Sequence, residues 1–269
     1  MRRLILPLAL VVTALLAGCA ATEEPYVERP VDVLYNQAVN ALEGGGYIDA
    51  AKLFDEVERQ HPYSVWATKA QLMAGYANYM ANKYDDAVIS LDRYIQLHPG
   101  SRDIAYAYYL KAISYYEQIS DVTRDQLITE KALKSLEEVI RRFPESRYAR
   151  DAKLKIDLTR DHLAGKEMAI GRWYLERKDY LAAINRFKRV VAEYQTTSQI
   201  PEALHRLVEA YTAIGLTDEA NRVAAVLGHN YPGSEWYIDS YQLATGQQFR
   251  TPEEEKKKGF LGRTWDWLF

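Results

Sequence analysis

Three residue types recur in this chain in a fixed order, and this recurrence restricts the fold more than any other feature of the sequence. An alanine is followed four residues later by a large apolar residue and twelve residues later by a proline. The three complete copies are Ala50, Phe54 and Pro62; Ala87, Leu91 and Pro99; and Ala132, Leu136 and Pro144. A fourth copy at Ala183 and Phe187 lacks the proline, and a fifth runs from Ala220 to Pro232. A period of this length predicts a solenoid of stacked structural repeats.

The spacing predicts that each repeat is a pair of antiparallel helices. The alanine and the apolar residue four positions later share one helix face, and the small alanine lets the partner helix approach closely. The proline ends the helix, and a serine two residues further along can cap the next one. These serines are Ser64, Ser101, Ser146 and Ser234. The predicted partner helices are 33–43, 67–81, 104–119, 148–177 and 201–214. Because 148–177 is long for one repeat helix, we expect a break near Gly165 or Gly171.

These positions resemble the tetratricopeptide repeat, a helix-turn-helix unit. The small residue that the family places twelve positions before the alanine is present as Gly75 and Gly171, and its tyrosine nine positions before is present as Tyr174 and Tyr211. The resemblance implies an all-α fold, a right-handed superhelical solenoid of about five repeats. Gly44, Gly45 and Gly46 are expected to form the turn inside the first repeat.

The N-terminus has the features of a bacterial lipoprotein signal. Two arginines precede an apolar run at 4–17 that is too short to span a bilayer of about 30 Å. Residues 16–19 read Leu-Ala-Gly-Cys and resemble the lipobox. That implies cleavage after residue 18 and N-acyl and S-diacylglycerol groups on Cys19, with ordinary secretion as the alternative. Ala20, where an inner-membrane signal would have aspartate, favours the outer membrane facing the periplasm. Residues 19–30 are interpreted as an acylated flexible tether.

The order and phasing of the repeats resemble the BamD family, the lipoproteins of the β-barrel assembly machinery. The resemblance covers residues 16–245 and includes the longer third repeat, whose insert lies at 120–126. It implies that repeats 1–3 (31–146) bind unfolded barrel proteins. Repeats 4–5 (147–248) would dock the last POTRA domain of BamA, and other Bam lipoproteins would bind as well. Arg186, next to Asn185, matches the arginine the family uses in that docking; a solvated surface arginine is the alternative.

Tyrosine is unusually frequent, with 21 residues against 6 Phe and 5 Trp. A tyrosine ring has an apolar body and a polar tip, which suits the wall of a peptide groove. The candidate groove residues are Tyr76, Tyr79, Tyr106, Tyr108 and Tyr109. The alternative is that such residues pack between helices, and we expect about half of them to do so because helical periodicity turns only some toward a groove.

Other function classes find little support in the sequence. The formal net charge of −3 argues against a nucleic-acid partner, which would require a basic face. The five histidines are dispersed, His61 and His98 precede prolines in loops, and His205 with Glu209 does not complete a zinc motif. We therefore predict a binding scaffold without catalytic residues, metal or cofactor other than the acyl groups on Cys19. Two alternatives stay open: a repeat lipoprotein of pilus assembly or cell-wall coordination, and an enzyme with a repeat domain.

Residues 249–269 form a charged and then aromatic tail. As a helix, the segment from 259 would place most of its apolar side chains on one arc, suited to a membrane interface, a partner or its own solenoid. As a strand, its alternating aromatics and terminal phenylalanine resemble the C-terminal signal of a barrel protein, so the tail would occupy the substrate groove. The predicted contact residues are Phe260, Trp265, Trp267 and Phe269.

Overall fold

The computed structural model describes residues 28–246, which form eleven helices and no strand. Five consecutive helix pairs are followed by one closing helix, so the prediction of an all-α tetratricopeptide-like solenoid is confirmed. The helices are α1 (Val31–Glu43), α2 (Tyr47–Gln60), α3 (Val65–Met80), α4 (Tyr84–Leu97), α5 (Ile104–Tyr116), α6 (Leu127–Arg142), α7 (Arg147–Glu176), α8 (Tyr180–Glu193), α9 (Ile200–Ala213), α10 (Thr217–Asn230) and α11 (Glu235–Thr245).

The recurring residues form the centre of each helix pair. All five repeat alanines are at most 1% exposed, and the large residues four positions after the first four alanines are fully buried. The small residue of the first helix lies against the large residue of the second. A Cβ atom added to Gly75 would lie 2.8 Å from Cγ of Leu91, and Gly171 faces Phe187 in the same way. The repeat spacing therefore identifies the small and large residues that contact each other within a repeat.

The first helices of the repeats and the second helices form two different layers. Each first helix contacts the first helix of the next repeat, along the series α1, α3, α5, α7 and α9. Within the described range, the backbones of neighbouring second helices stay apart, although side chains such as Arg93 of α4 and Glu58 of α2 reach across the gap. Because the second helices are spread apart, the layer of first helices lies on the inside of the curve and the layer of second helices on the outside.

The break expected near Gly165 or Gly171 is wrong: α7 is one helix of 30 residues from Arg147 to Glu176. Its first half packs against α6 and its second half against α8, so tertiary contacts support both halves. Gly171 allows α7 and α8 to pack closely and does not end the helix. Gly165 lies under Val122 of the insert between α5 and α6, and Lys166 Nζ donates to the carbonyl oxygen of Thr123 at 2.8 Å.

The turns agree with the predicted chemistry at most positions. Gly45, in the turn between α1 and α2, has a φ of 79°, which only glycine adopts readily. Ser64 and Ser146 cap α3 and α7, each accepting a bond from the backbone N–H three residues on. The prediction is wrong for Ser101, which bonds the Tyr94 hydroxyl at 2.6 Å while Asp103 occupies the N-cap of α5. Ser234 is the N-cap of α11, but its side chain makes no capping bond.

Candidate functional site

Four of the five candidate groove tyrosines converge on the inner layer. Tyr76 and Tyr79 lie on α3, Tyr106 and Tyr109 lie on α5, and all four are half-buried. A further tyrosine, Tyr148 at the start of α7, completes the group: its ring centroid lies 5.5 Å from that of Tyr106 and 5.1 Å from that of Tyr109. We call these five residues the tyrosine cluster. Sequence reasoning missed Tyr148 because the contact joins helices about 40 residues apart.

Two hydroxyl groups of the cluster, those of Tyr106 and Tyr109, stay uncharged. The Tyr109 hydroxyl donates to Oδ2 of Asp151 at 2.6 Å. Burial, followed by this bond, raises the pKa of Tyr109, and burial raises the pKa of Tyr106 to about 12. The hydroxyls of Tyr106 and Tyr109 therefore remain neutral at physiological pH. The surface offers aromatic rings together with hydroxyl groups, a combination suited to a polypeptide ligand.

Tyr108 points elsewhere. Its ring lies 5.4 Å from that of Phe143, and the Arg142 guanidinium stacks over it at 5.1 Å. It therefore packs against the C-terminal end of α6, within the third repeat, and does not join the tyrosine cluster.

Arg186 and Asn185 lie on α8 at a cavity of about 320 Å³, which we call the repeat-4 cavity. The other lining residues are Tyr174, Ala182 and Arg189. Glu167 of α7, only 8% exposed, joins the two arginines: its carboxylate accepts from Arg186 Nη1 and from Arg189 Nη1, each at 3.0 Å. Arg189 also donates to Glu193, and this bond, followed by the charge of Glu167, raises the pKa of Arg189.

This arrangement holds Arg186 in place without saturating it. Its bond to Glu167 is the only hydrogen bond that its side chain makes within residues 28–246. A guanidinium has five N–H groups, so donors remain available at the cavity. The role of Glu167 was not predicted from the sequence. A buried carboxylate on a helix cannot be recognised until its cationic partners on the next helix are located.

Three of the five histidines make hydrogen bonds that hold neighbouring elements together. His98 Nε2 bonds the Gln71 amide oxygen at 2.7 Å, and the equivalent His61 Nε2 bonds the backbone carbonyl of Arg29 at the same distance. The Arg29 N–H also donates to Gln60, so the chain is held just before α1 begins. His205 Nδ1 bonds Ser240 Oγ on α11 at 2.9 Å. No group of three or more potential metal ligands occurs in the described part.

Other predicted sites lie beyond residues 28–246. They are Cys19 and the tail residues Phe260, Trp265, Trp267 and Phe269. Within the described helices, none has both the length and the apolar character needed to cross a bilayer.

Comparisons with known proteins agree with the resemblance seen in the sequence. Residues 27–227 match the family model YfiO, described as outer membrane lipoprotein. The chain is 53% identical to the outer membrane protein assembly factor BamD of Caulobacter vibrioides over 93% of this chain and 84% of that protein. It is 48% identical to the protein of the same name from Rickettsia prowazekii, over 89% and 96% respectively.

Solved structures with a similar arrangement are more distant. The tetratricopeptide domain of P58(IPK) matches with a TM-score of 0.42 and 14% identity over 87% of this chain and 66% of that one. The TPR2AB domain of yeast Sti1 matches with a TM-score of 0.41 and 10% identity, over 80% and 81%. The family match and the close relatives, which extend over most of the chain, show that it belongs to the BamD (YfiO) family of outer-membrane lipoproteins.

Proposed function

We propose that this chain is a scaffold lipoprotein of the outer-membrane β-barrel assembly machinery. In this proposal the acylated Cys19 anchors it to the outer membrane on the periplasmic side. Repeats 4 and 5 dock the last POTRA domain of BamA, and the tyrosine cluster receives segments of unfolded barrel proteins. The relatives named as outer membrane protein assembly factors support the general role.

The observation that carries the docking proposal is the pair of arginines that share Glu167 at the open repeat-4 cavity. Holding the guanidinium of Arg186 on a nearly buried carboxylate reduces the conformational entropy that binding would remove. A carboxylate on the partner would meet two cations and the amide of Asn185. Positioned arginines of this kind often contribute a large share of the binding free energy at interfaces.

The docking test measures binding of a BamA POTRA fragment to the purified, detergent-solubilised chain by calorimetry. Arg186→Ala is expected to weaken binding by about 2 kcal/mol, roughly thirtyfold in Kd. The matched control is Arg222→Ala, which removes an exposed arginine whose one ion pair within residues 28–246 is with Glu219 on its own helix. Equal affinity for the wild type and the Arg186 variant would refute the assignment of this cavity.

The anchoring part of the proposal is tested separately. Cells expressing the chain with a labelled fatty acid in the medium should yield a labelled mature protein that stays in the outer-membrane fraction. Cys19→Ala should abolish both label and retention, since more than one acyl chain is needed for stable anchoring. A labelled Cys19→Ala product would contradict acylation at this residue.

A further inference from the structure

The repeat-4 cavity has a counterpart in repeat 2. A second cavity, of about 540 Å³, lies between α2 and α4 of the outer layer, with α3 beneath it. Five of its lining residues correspond to the five of the repeat-4 cavity at a constant offset of 96 positions. The corresponding residues are Asn78 and Tyr174, Asp86 and Ala182, Ile89 and Asn185, Ser90 and Arg186, and Arg93 and Arg189. We call this the repeat-2 cavity.

The residue at the bottom of the repeat-2 cavity explains why this cavity is larger than the repeat-4 cavity. Repeats 4 and 5 have a tyrosine nine positions before the repeat alanine, Tyr174 and Tyr211, and repeat 2 has Asn78 there. A short amide therefore replaces an aromatic ring. Ile48 of α2 and Ile89 of α4 line the cavity and are 46% and 68% exposed, so two apolar side chains flank the vacated space among the charged ones.

Two polar side chains in this cavity lack partners. Asn78 and Ser90 are each only 8% exposed, yet neither side chain makes a hydrogen bond with any residue in the range 28–246. Their polar atoms are not sealed in the core but reach the open cavity, so the amide and the hydroxyl are available to a ligand. The asparagine amide can both donate and accept, as a peptide group requires.

The charged side chains around the cavity are already paired. Lys52 lies 3.8 Å from Asp49, and Lys83 lies 3.9 Å from Asp86. Arg93 Nη2 lies 2.6 Å from Glu58 and 3.5 Å from Asp55. Positive and negative side chains are thus mixed around the cavity, so it favours neither an anionic nor a cationic ligand. In repeat 4, by contrast, the position of Ser90 is taken by the partly available Arg186.

We propose that the repeat-2 cavity binds an extended, uncharged segment of an unfolded polypeptide. A large apolar side chain of that segment enters between Ile48 and Ile89, and its backbone amide groups bond Asn78 and Ser90. This inference rests on the proposed scaffold function and assigns a client-binding site on the outer layer, separate from the tyrosine cluster. The equivalent cavities of repeats 2 and 4 then bind different groups: an uncharged segment in repeat 2 and a carboxylate of the partner in repeat 4.

The test uses the mature full-length chain in detergent and a synthetic peptide of alternating threonine and serine with one central benzoylphenylalanine. After irradiation, mass spectrometry locates the cross-links, which are expected on α2, α4 and the end of α3. Asn78→Tyr should lower their yield at least about tenfold. This variant is expected to fold because the same repeat position holds Tyr174 and Tyr211, and its circular dichroism and melting temperature verify that it does.

The matched control is Leu158→Tyr, which adds the same side chain at an exposed apolar position on α7 outside the cavity. It should leave the cross-links unchanged. A second peptide with aspartates flanking the benzoylphenylalanine should cross-link less than the neutral peptide. Unchanged cross-linking in a folded Asn78→Tyr variant, or cross-links concentrated on the tyrosine cluster, would overturn the proposal.

Binding of the BamA POTRA fragment, measured on the same samples, separates this inference from the docking proposal. Asn78→Tyr should bind the fragment like the wild type, because Arg186 is untouched. Normal fragment binding with undiminished peptide cross-linking would refute only the repeat-2 site. Absent fragment binding in the wild type would refute the docking proposal itself.

Discussion

Gly171 lies directly beneath the ring of Phe187. A Cβ atom at position 171 would lie 2.8 Å from both Cδ1 and Cζ of that ring, and closer still to Cε1. Phe187 is fully buried, so it has little room to move. The absence of a side chain at 171 thus determines how closely α7 and α8 approach.

Gly171→Ala is expected to lower the free energy of unfolding. Alanine favours a helix over glycine by about 1 kcal/mol, but overpacking a filled core costs about 1–3 kcal/mol. The steric cost should prevail because the ring cannot withdraw. The control is Gly165→Ala, where the added Cβ would lie 3.4 Å from Val122 Cγ1, an ordinary contact. Urea unfolding should show loss at 171 and none at 165; equal stability of both variants would contradict the packing argument.

Helix capping supplies a second prediction. Ser146→Ala removes the bond from the Ala149 N–H to the serine hydroxyl, 3.1 Å long, and should cost about 0.5–2 kcal/mol of stability. Ser234→Ala is the comparison, since Ser234 occupies an N-cap without making that bond. Thermal denaturation should show a lower midpoint for the first variant and little change for the second. A larger loss of stability from Ser234→Ala than from Ser146→Ala would contradict the assignment of this stability to the capping hydrogen bond.

Acid should weaken the packing of α11. Burial, followed by the charge of Arg206, lowers the pKa of His205 from its ordinary 6.5, whereas Glu209, Asp239 and Glu202 oppose the shift. The unfolded chain therefore binds a proton more readily than the folded one. The stability contributed by neutral His205 is present above pH 6.5 and is lost as the pH falls through the lowered folded value.

The measurement is urea unfolding of wild type and His205→Gln at pH 7.5 and pH 5.5. Glutamine can still bond Ser240 but does not titrate in this range. The wild type should lose more stability between the two pH values than the variant. Parallel losses would assign the acid sensitivity to other groups.

The tyrosine cluster makes a prediction about client binding. Tyr148→Leu removes the ring that contacts both Tyr106 and Tyr109 and should weaken binding of a peptide from a barrel protein's last strand by about tenfold. Tyr63→Leu changes a fully exposed tyrosine in the turn before α3 and serves as the control. Fluorescence anisotropy of the labelled peptide gives both affinities. Unchanged affinity in the Tyr148 variant would exclude the cluster as the client surface.

The sequence predicted the parts of this fold that depend on recurrence. The repeat alanines and the large residues four positions later mark the helix contacts because each repeat must bury the same small-against-large pair. Two kinds of feature were missed. The continuity of α7 depends on α6 and α8 supporting its two halves, which local glycine propensity does not reveal. Ser101 could not be separated from Ser64 and Ser146 because its competing partner, the Tyr94 hydroxyl, comes from the preceding helix.

The candidate sites were predictable to different extents. Tyr76, Tyr79, Tyr106 and Tyr109 could be selected from residue type, whereas Tyr148 and Glu167 acquire their roles from neighbours on other helices. The correspondence between Asn78 and Tyr174 was available from the repeat alignment. Its meaning required the cavity, because an asparagine in a helix does not by itself indicate missing volume.

The unbroken α7 carries parts of two proposed binding surfaces on one rigid rod. Tyr148 of the tyrosine cluster and Tyr174 of the repeat-4 cavity are 26 residues apart on this helix. At 1.5 Å per residue the two are about 39 Å apart along its axis. The helix therefore fixes the distance between the two surfaces. Each residue inserted into it would increase that distance by about 1.5 Å and rotate one surface relative to the other by about 100°.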